Sequence, residues 1–235
     1  MNRRYDVLLC DADNTIFDFT KAEENAFAIA CAHAGIDGAE RLLPVYADIN
    51  SAMWKLLELG GITQSVLRVR RFELFLTAIG RTDIDARDMG DTFADALGRQ
   101  SVPLPGAVEA VARWSRMLPV VIVTNGISKV QHGRMEGSEV RHFISGMVIS
   151  EEVGAAKPDP RMLELAMEKA GVTDRRRVLM LGDSLSSDIA AAANAGVDAC
   201  WFNPRGAGNA KGLPVRYEIR SLDEVDAILT GEADA

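Results

Sequence analysis

Tyr5-Asp6-Val7-Leu8-Leu9-Cys10-Asp11-Ala12-Asp13-Asn14-Thr15 begins as a strand and ends in a group of acids. Val7 to Cys10 is a continuous apolar run, the pattern of a parallel strand buried on both faces. A strand of that kind delivers the residues after it to the carboxyl edge of its sheet, where open α/β folds bind ligands. Here those residues include Asp11 and Asp13, two positions apart and so able to start on one face. Two carboxylates this close repel each other unless a cation binds them or one holds a proton. A surface turn rich in Asp and Asn is the competing reading of the same residues.

Two more buried-strand runs lie downstream. Pro119-Val120-Val121-Ile122-Val123 leads into Thr124-Asn125-Gly126, and Val178-Leu179-Met180-Leu181 leads into Gly182-Asp183-Ser184-Leu185-Ser186-Ser187-Asp188. Between them, Ala155-Ala156-Lys157-Pro158-Asp159-Pro160 stands directly before a helical pattern. From Pro103 onward, helical patterns over 106–116, 128–138, 159–170, 186–195 and 222–230 alternate with strand patterns over 119–124, 146–150, 177–182, 198–202 and 215–219. That alternation predicts a parallel sheet covered on both faces.

The segment from Phe19 to about Val102 reads as helices alone. Thr20-Lys21-Ala22-Glu23 fits a capping box for a helix that stops at Gly35. A second helix is expected over 42–59 with Pro44 in its first turn, a third from Thr63 to Ile79, and a fourth over 85–97 before Gly98. Roughly eighty helical residues far exceed the dozen or so that a crossover between parallel strands needs. The expected organisation is an α/β core from residues 1–17 and 103–235 with an all-helical cap of residues 18–102, hinged near Phe17 and Val102 and closing over the carboxyl edge of the sheet.

Composition narrows the function classes. With 48% hydrophobic residues and a net charge of −8, the chain reads as a globular protein and not as a binder of nucleic acid polymers, which need a basic face. No apolar run approaches the roughly 18 residues of a membrane span. Met1-Asn2-Arg3-Arg4 runs almost straight into the first strand, which predicts no secretory leader. Cys10, Cys31 and Cys200 are too few and too scattered for a disulfide framework or zinc site, so a cytoplasmic location is expected. Arg68, Arg70 and Arg71 form one basic cluster, and Arg175, Arg176 and Arg177 a second that reads as solvated. The glycine-rich stretch Arg205 to Gly212, with Lys211, matches neither phosphate-loop nor dinucleotide spacing and reads as a surface loop. His33, His132 and His142 have no ligand-like spacing.

An aspartate pair, a hydroxyl after a strand, a Lys-Pro before a helix and a late acidic pair, in that order at strand ends, resemble the haloacid dehalogenase-like phosphohydrolases over nearly the whole chain. The resemblance implies a Rossmann-like parallel core. A phosphate monoester repels an anionic nucleophile, so such a site needs a bridging cation. Asp11 and Asp183 offer hard oxygen ligands of the type Mg2+ favours. By resemblance, Asp11 attacks phosphorus to give an aspartyl-phosphate, while Asp13 binds Mg2+ through its carbonyl and serves as general acid and base through its side chain. Thr124 and the Asn125 and Gly126 amides would hold phosphate, Lys157 would supply positive charge, and Asp188 would support Lys157 or the metal waters. Taken singly, Lys157 also reads as an exposed lysine before a helix, and Asp188 as a first-turn carboxylate. Asp13 favours phosphate esters over carbon–halogen bonds, since the dehalogenase branch lacks an aspartate two residues on. Lys21 and Lys55, the only cap lysines, do not match a phosphonatase context. A phosphomutase would share all of these motifs.

At a finer level, Met53-Trp54, Gly61-Ile62-Thr63, Arg71-Phe72-Glu73, Pro103-Leu104-Pro105-Gly106, the stretch Val148 to Gly154 and Ala199-Cys200-Trp201-Phe202-Asn203-Pro204 are similar to the pyrimidine 5′-nucleotidases of the house-cleaning type. The chain departs from that pattern at Asn14 and at Ala191-Ala192. The resemblance implies action on dUMP, UMP, dTMP and non-canonical analogues. Asn50, Trp54, Thr63 and Arg71 are the candidate substrate contacts, although Trp54 and Phe72 at helical spacing also fit a core. The expectation is therefore a Mg2+-dependent phosphomonoesterase acting on a small molecule, as a monomer or weak homodimer. A general sugar phosphate or phosphoglycolate phosphatase, a phosphomutase and a non-catalytic phosphate-binding module are the alternatives.

Overall fold

The computed structural model describes residues 3–210 and 212–234; Met1, Asn2, Lys211 and Ala235, including parts of two stretches discussed above, lie outside them. In chain order the elements are β1 (Val7–Cys10), α1 (Phe19–His33), α2 (Ala39–Glu58), α3 (Gln64–Ala78), α4 (Ala86–Gly98), α5 (Ala107–Ser115), β2 (Val120–Thr124), α6 (Ser128–Glu136), β3 (Gly146–Ile149), α7 (Ser150–Val153), α8 (Arg161–Ala170), β4 (Val178–Gly182), α9 (Ala190–Ala195), β5 (Asp198–Phe202), β6 (Tyr217–Ile219) and α10 (Val225–Thr230).

The strands form one parallel sheet in the order β3-β2-β1-β4-β5-β6. Cys10 lies opposite both Ile122 and Leu181, so β1 is paired on both edges. This explains why all four of its residues are apolar and buried. On one face, Val7, Leu9, Val121, Val123 and Met180 pack with Met162, Leu163 and Ala166 of α8 and Ala191, Ala192 and Ala195 of α9. The strand order builds outward from β1 in one direction and from β4 in the other. The carboxyl ends of β1 and β4 thus flank the switch point where open α/β sheets form their crevice.

The described chain divides into two compact units, an α/β unit of residues up to Asp18, Val102–Ser128 and from Ser138 onward, and a helical unit of Phe19–Ser101 with Lys129–Gly137. Within the α/β unit the two chain segments at the boundary run side by side, with Asp18 N donating to Val102 O at 2.9 Å and Leu104 N to Ile16 O at 2.8 Å. Most of α6 belongs with the helical unit, although its sequence pattern sits in the α/β alternation. The cause is a close backbone approach: a Cβ on Gly133 would lie 2.8 Å from Gly98 O. Ser101 Oγ also donates to Arg134 O at 2.6 Å, and Lys129 pairs with Asp95 at 2.5 Å.

Three local expectations are corrected. Helix α1 starts at Phe19, so Thr20 lies inside its first turn and is not an N-cap. A capping box is present at Ser221 and Glu224. Helix α2 starts at Ala39, after Gly38 with φ 73°, and this puts Pro44 beyond the first turn, where its missing N–H leaves the Glu40 carbonyl without the usual helical donor. Pairing of β6 begins at Tyr217, two residues later than the apolar pattern that starts at Val215. Cys10, Cys31 and Cys200 are free and buried. Among the described residues, no helix is long and apolar enough to cross a membrane.

Candidate active site

Asp11 N donates to Leu181 O at 2.9 Å, extending the β1–β4 ladder one residue past the strand and fixing Asp11 at the switch point. Its side chain is nearly buried, and the Lys157 ammonium beside it is 1% exposed. An ammonium has three donors. Lys157 Nζ uses them on Asp11 Oδ1 at 2.5 Å, Val123 O at 2.6 Å and Asp188 Oδ1 at 2.7 Å. The reading of Lys157 as an exposed lysine is therefore excluded. Its backbone is clasped by Asn125, which accepts from Lys157 N at 2.7 Å and donates to Lys157 O at 2.8 Å. The Lys157–Pro158 peptide is cis.

Asp188 lies in the π-helical turn Leu185–Ile189 that follows β4, and its Oδ2 accepts from Ser184 N at 3.0 Å. Gly182 permits this approach, because a Cβ there would overlap the Asp188 carboxylate. Asp183 is anchored through its carbonyl, which accepts from Trp201 Nε1 at 2.8 Å. Carboxylate oxygens of Asp11, Asp183 and Asp188 all lie within 4.8 Å of one another. Asp13 is half-buried in the turn that follows β1, where Asn14 has φ 60°, and its charge is felt by both Asp11 and Asp183. Thr124 is buried at the end of β2 and its Oγ1 accepts from Gly126 N at 3.2 Å.

Charge explains the arrangement. Burial works against an ionised Lys157, but Asp11 and Asp188 outweigh it and hold the pKa above the ordinary lysine range. Burial pushes the Asp11 carboxyl well up; Lys157 opposes the shift, and Asp188, Asp183 and Asp13 add to it. Burial, with Asp188 adding, pushes Asp183 up to about 7. Asp11, Asp183 and Asp188 thus share one lysine, and Asp13 adds negative charge nearby. A hard divalent cation fits this donor set, since it would relieve the excess negative charge through oxygen ligands.

The sequence-derived residues of the α/β unit meet here, with one difference in detail: the Asn125 side chain engages the Lys157 backbone. The sequence reading passed over Thr15, whose Oγ1 donates to Asp11 Oδ2 at 3.3 Å, Ser187, which lies 3.4 Å from Asn125 Nδ2, and Gly182. Thr15 alone carried a signal, as a hydroxyl four residues after the first acid. In the helical unit, Asn50 and Arg71 lie together, with Arg71 Nη1 donating to Asn50 Oδ1 at 3.0 Å. Thr63 is the exposed N-cap of α3, accepting from Val66 N at 3.4 Å, and Trp54 is half-buried on α2. Phe72 is a core residue stacked on Tyr46.

The fold and this constellation define a hydrolase of one family: the chain belongs to the haloacid dehalogenase-like hydrolases, which residues 5–196 match. It is a phosphoric monoester hydrolase. Among its relatives, the pyrimidine 5′-nucleotidase YjjG of Escherichia coli is 32% identical over 96% of this chain and 98% of its own. The pyrimidine 5′-nucleotidase PynA of Streptococcus pneumoniae is 30% identical over 94% and 93%. The magnesium-bound crystal structure of the HAD-hydrolase YfnB from Bacillus subtilis superposes with a TM-score of 0.89 at 30% identity, covering 96% of this chain and 99% of that one.

Proposed function

We propose that this enzyme is a Mg2+-dependent 5′-nucleotidase that removes phosphate from pyrimidine nucleoside monophosphates through an aspartyl-phosphate on Asp11. The observation that carries the chemistry is the buried Asp11–Lys157–Asp188 chain at the switch point. Asp11, Asp183 and the carbonyl of Asp13 would hold Mg2+, which supplies Lewis-acid neutralisation of the phosphate oxygens.

In the first half-reaction a carboxylate oxygen of Asp11 bonds to phosphorus. The ester P–O bond breaks with its electron pair leaving on the alcohol oxygen, which Asp13 protonates. In the second, Asp13 takes a proton from water, the water oxygen bonds to phosphorus, and the P–O bond to Asp11 breaks to regenerate the carboxylate. Lys157 offsets the negative charge that Asp11 and phosphate bring together, and the Thr124 hydroxyl donates to a phosphate oxygen.

The substrate class is supported by the two pyrimidine 5′-nucleotidases matched over almost their full length. A panel of phosphate esters compared by kcat/KM, with Mg2+ or EDTA, tests the reading. dUMP and dTMP are expected among the best substrates and EDTA to stop turnover. A sugar phosphate or phosphoglycolate ranking above both nucleotides would overturn the nucleotidase reading and leave the phosphatase core in place.

A further inference from the structure

We propose that Trp201 is a positioning residue for the metal site, holding Asp183 in place through the hydrogen bond from its indole N–H to the Asp183 carbonyl. The inference rests on the reading of Asp183 as a Mg2+ ligand. Trp201 Nε1 donates to Asp183 O at 2.8 Å, across 18 residues of sequence.

The register of the sheet shows why a side chain is needed there. Strands β4 and β5 pair as far as Gly182 opposite Trp201, so Asp183 lies one residue beyond the last pair. From that point the chain turns away through Ser184 into the π-helical turn Leu185–Ile189. The turn satisfies Ser184 O with its own N–H groups, from Asp188 at 2.9 Å and from Ile189 at 3.1 Å. Asp183 O takes its donor from the neighbouring strand instead. An indole has a single donor and no acceptor, which fixes the direction of this bond. The ring is 3% exposed and belongs to the core cluster with Ile189, Ala191, Ala192 and Ala195. Packing thus sets the donor in place before any ligand arrives.

Electrostatics gives the bond its task. Lys157 reaches Asp11 at 2.5 Å and Asp188 at 2.7 Å, whereas no ion pair among the described residues includes Asp183. Carboxylate oxygens of all three nevertheless lie within 4.8 Å of one another. Repulsion from the other two acts on Asp183 with no ammonium bonded to it, so a fixed main chain has to keep its carboxylate in the cluster. Partners that orient metal ligands in this way are worth about 10- to 100-fold in metal affinity.

Calorimetric titration of Mg2+ into the metal-free enzyme compares the wild type with Trp201→Phe, which keeps an aromatic ring and loses the donor. The variant is expected to bind Mg2+ about 10- to 100-fold more weakly. Its kcat should return to near the wild-type value at saturating Mg2+, so the change appears in the Mg2+ concentration required and not in the chemistry. Replacing Trp201 with benzothienylalanine exchanges the N–H for sulfur and keeps the shape of the ring. That substitution separates the hydrogen bond from packing and is expected to weaken Mg2+ binding to a similar extent. In proton–nitrogen NMR spectra of the wild type, the indole signal that Trp201→Phe removes should shift as Mg2+ is added.

Unchanged Mg2+ affinity in the benzothienylalanine enzyme overturns the assignment, even if Trp201→Phe fails to fold. So does an indole signal that saturating Mg2+ leaves unmoved. A melting temperature that falls in both variants while Mg2+ affinity holds is the mark of a purely structural tryptophan and overturns it too. Wild-type Mg2+ affinity that survives Asp183→Ala overturns the ligand reading itself, and this inference with it.

Discussion

Lys157 completes its hydrogen bonding inside the protein, on two carboxylates and a main-chain carbonyl, and that economy has consequences for single substitutions. Removing one partner of a buried ion pair leaves uncompensated charge and costs about 3–5 kcal/mol. Lys157→Met is expected to lose folding stability of that order in urea denaturation without metal, and to recover part of it in Mg2+. Asp11→Asn is a different experiment, since it removes one negative charge from a cluster that has too many. It should fold normally by circular dichroism while its phosphatase rate falls below about a hundredth of wild type, as loss of a covalent nucleophile demands.

Elements place these residues, and Gly182 shows how tightly. The end of β4 and the turn carrying Asp188 meet where no Cβ fits. Gly182→Ala should therefore push Asp188 away from Lys157, lower kcat, and cost about 1–3 kcal/mol, an overpacking penalty readable by thermal melting. Unchanged activity and stability would show that the turn yields freely. The strands that build the site were legible in the sequence because a parallel strand buried on both faces must be apolar throughout, as Val7–Cys10 and Val178–Gly182 are. Their acids were legible because they stop those runs abruptly. The hold of Asn125 on Lys157 was not, because it joins residues far apart in sequence and leaves no local periodicity. The allegiance of α6 stayed hidden for the same reason: it rests on the contact between Gly98 and Gly133. The edge strand β6 was misplaced because Tyr217-Glu218-Ile219 is short and partly polar.

For the molecule as a whole, the acid cluster links stability to pH and metal. Asp183 stands at about 7 in the folded protein, against about 3.9 for an unfolded aspartate. Between those values the folded state binds more protons than the unfolded state, so metal-free stability falls as pH rises through that window. On the proposed reading Mg2+ needs the ionised carboxylates and would bind more tightly as pH rises through 7. The Mg2+-induced rise in melting temperature should thus be small at pH 5 and large at pH 8, since a ligand at 100 times its Kd adds about 2.7 kcal/mol. Equal rises at both pH values would show that these carboxylates do not bind the metal.

Trapping with borohydride during turnover tests the covalent role of Asp11 most directly. An aspartyl-phosphate is an acyl phosphate, which hydride reduces to homoserine, whereas free carboxylates are left intact. Enzyme quenched while hydrolysing dUMP in Mg2+, then digested and analysed by mass spectrometry, is expected to carry the reduced residue at Asp11 alone. Reduction at Asp13 or Asp183 instead, or an unmodified chain from enzyme that is turning over, would contradict the nucleophile assignment.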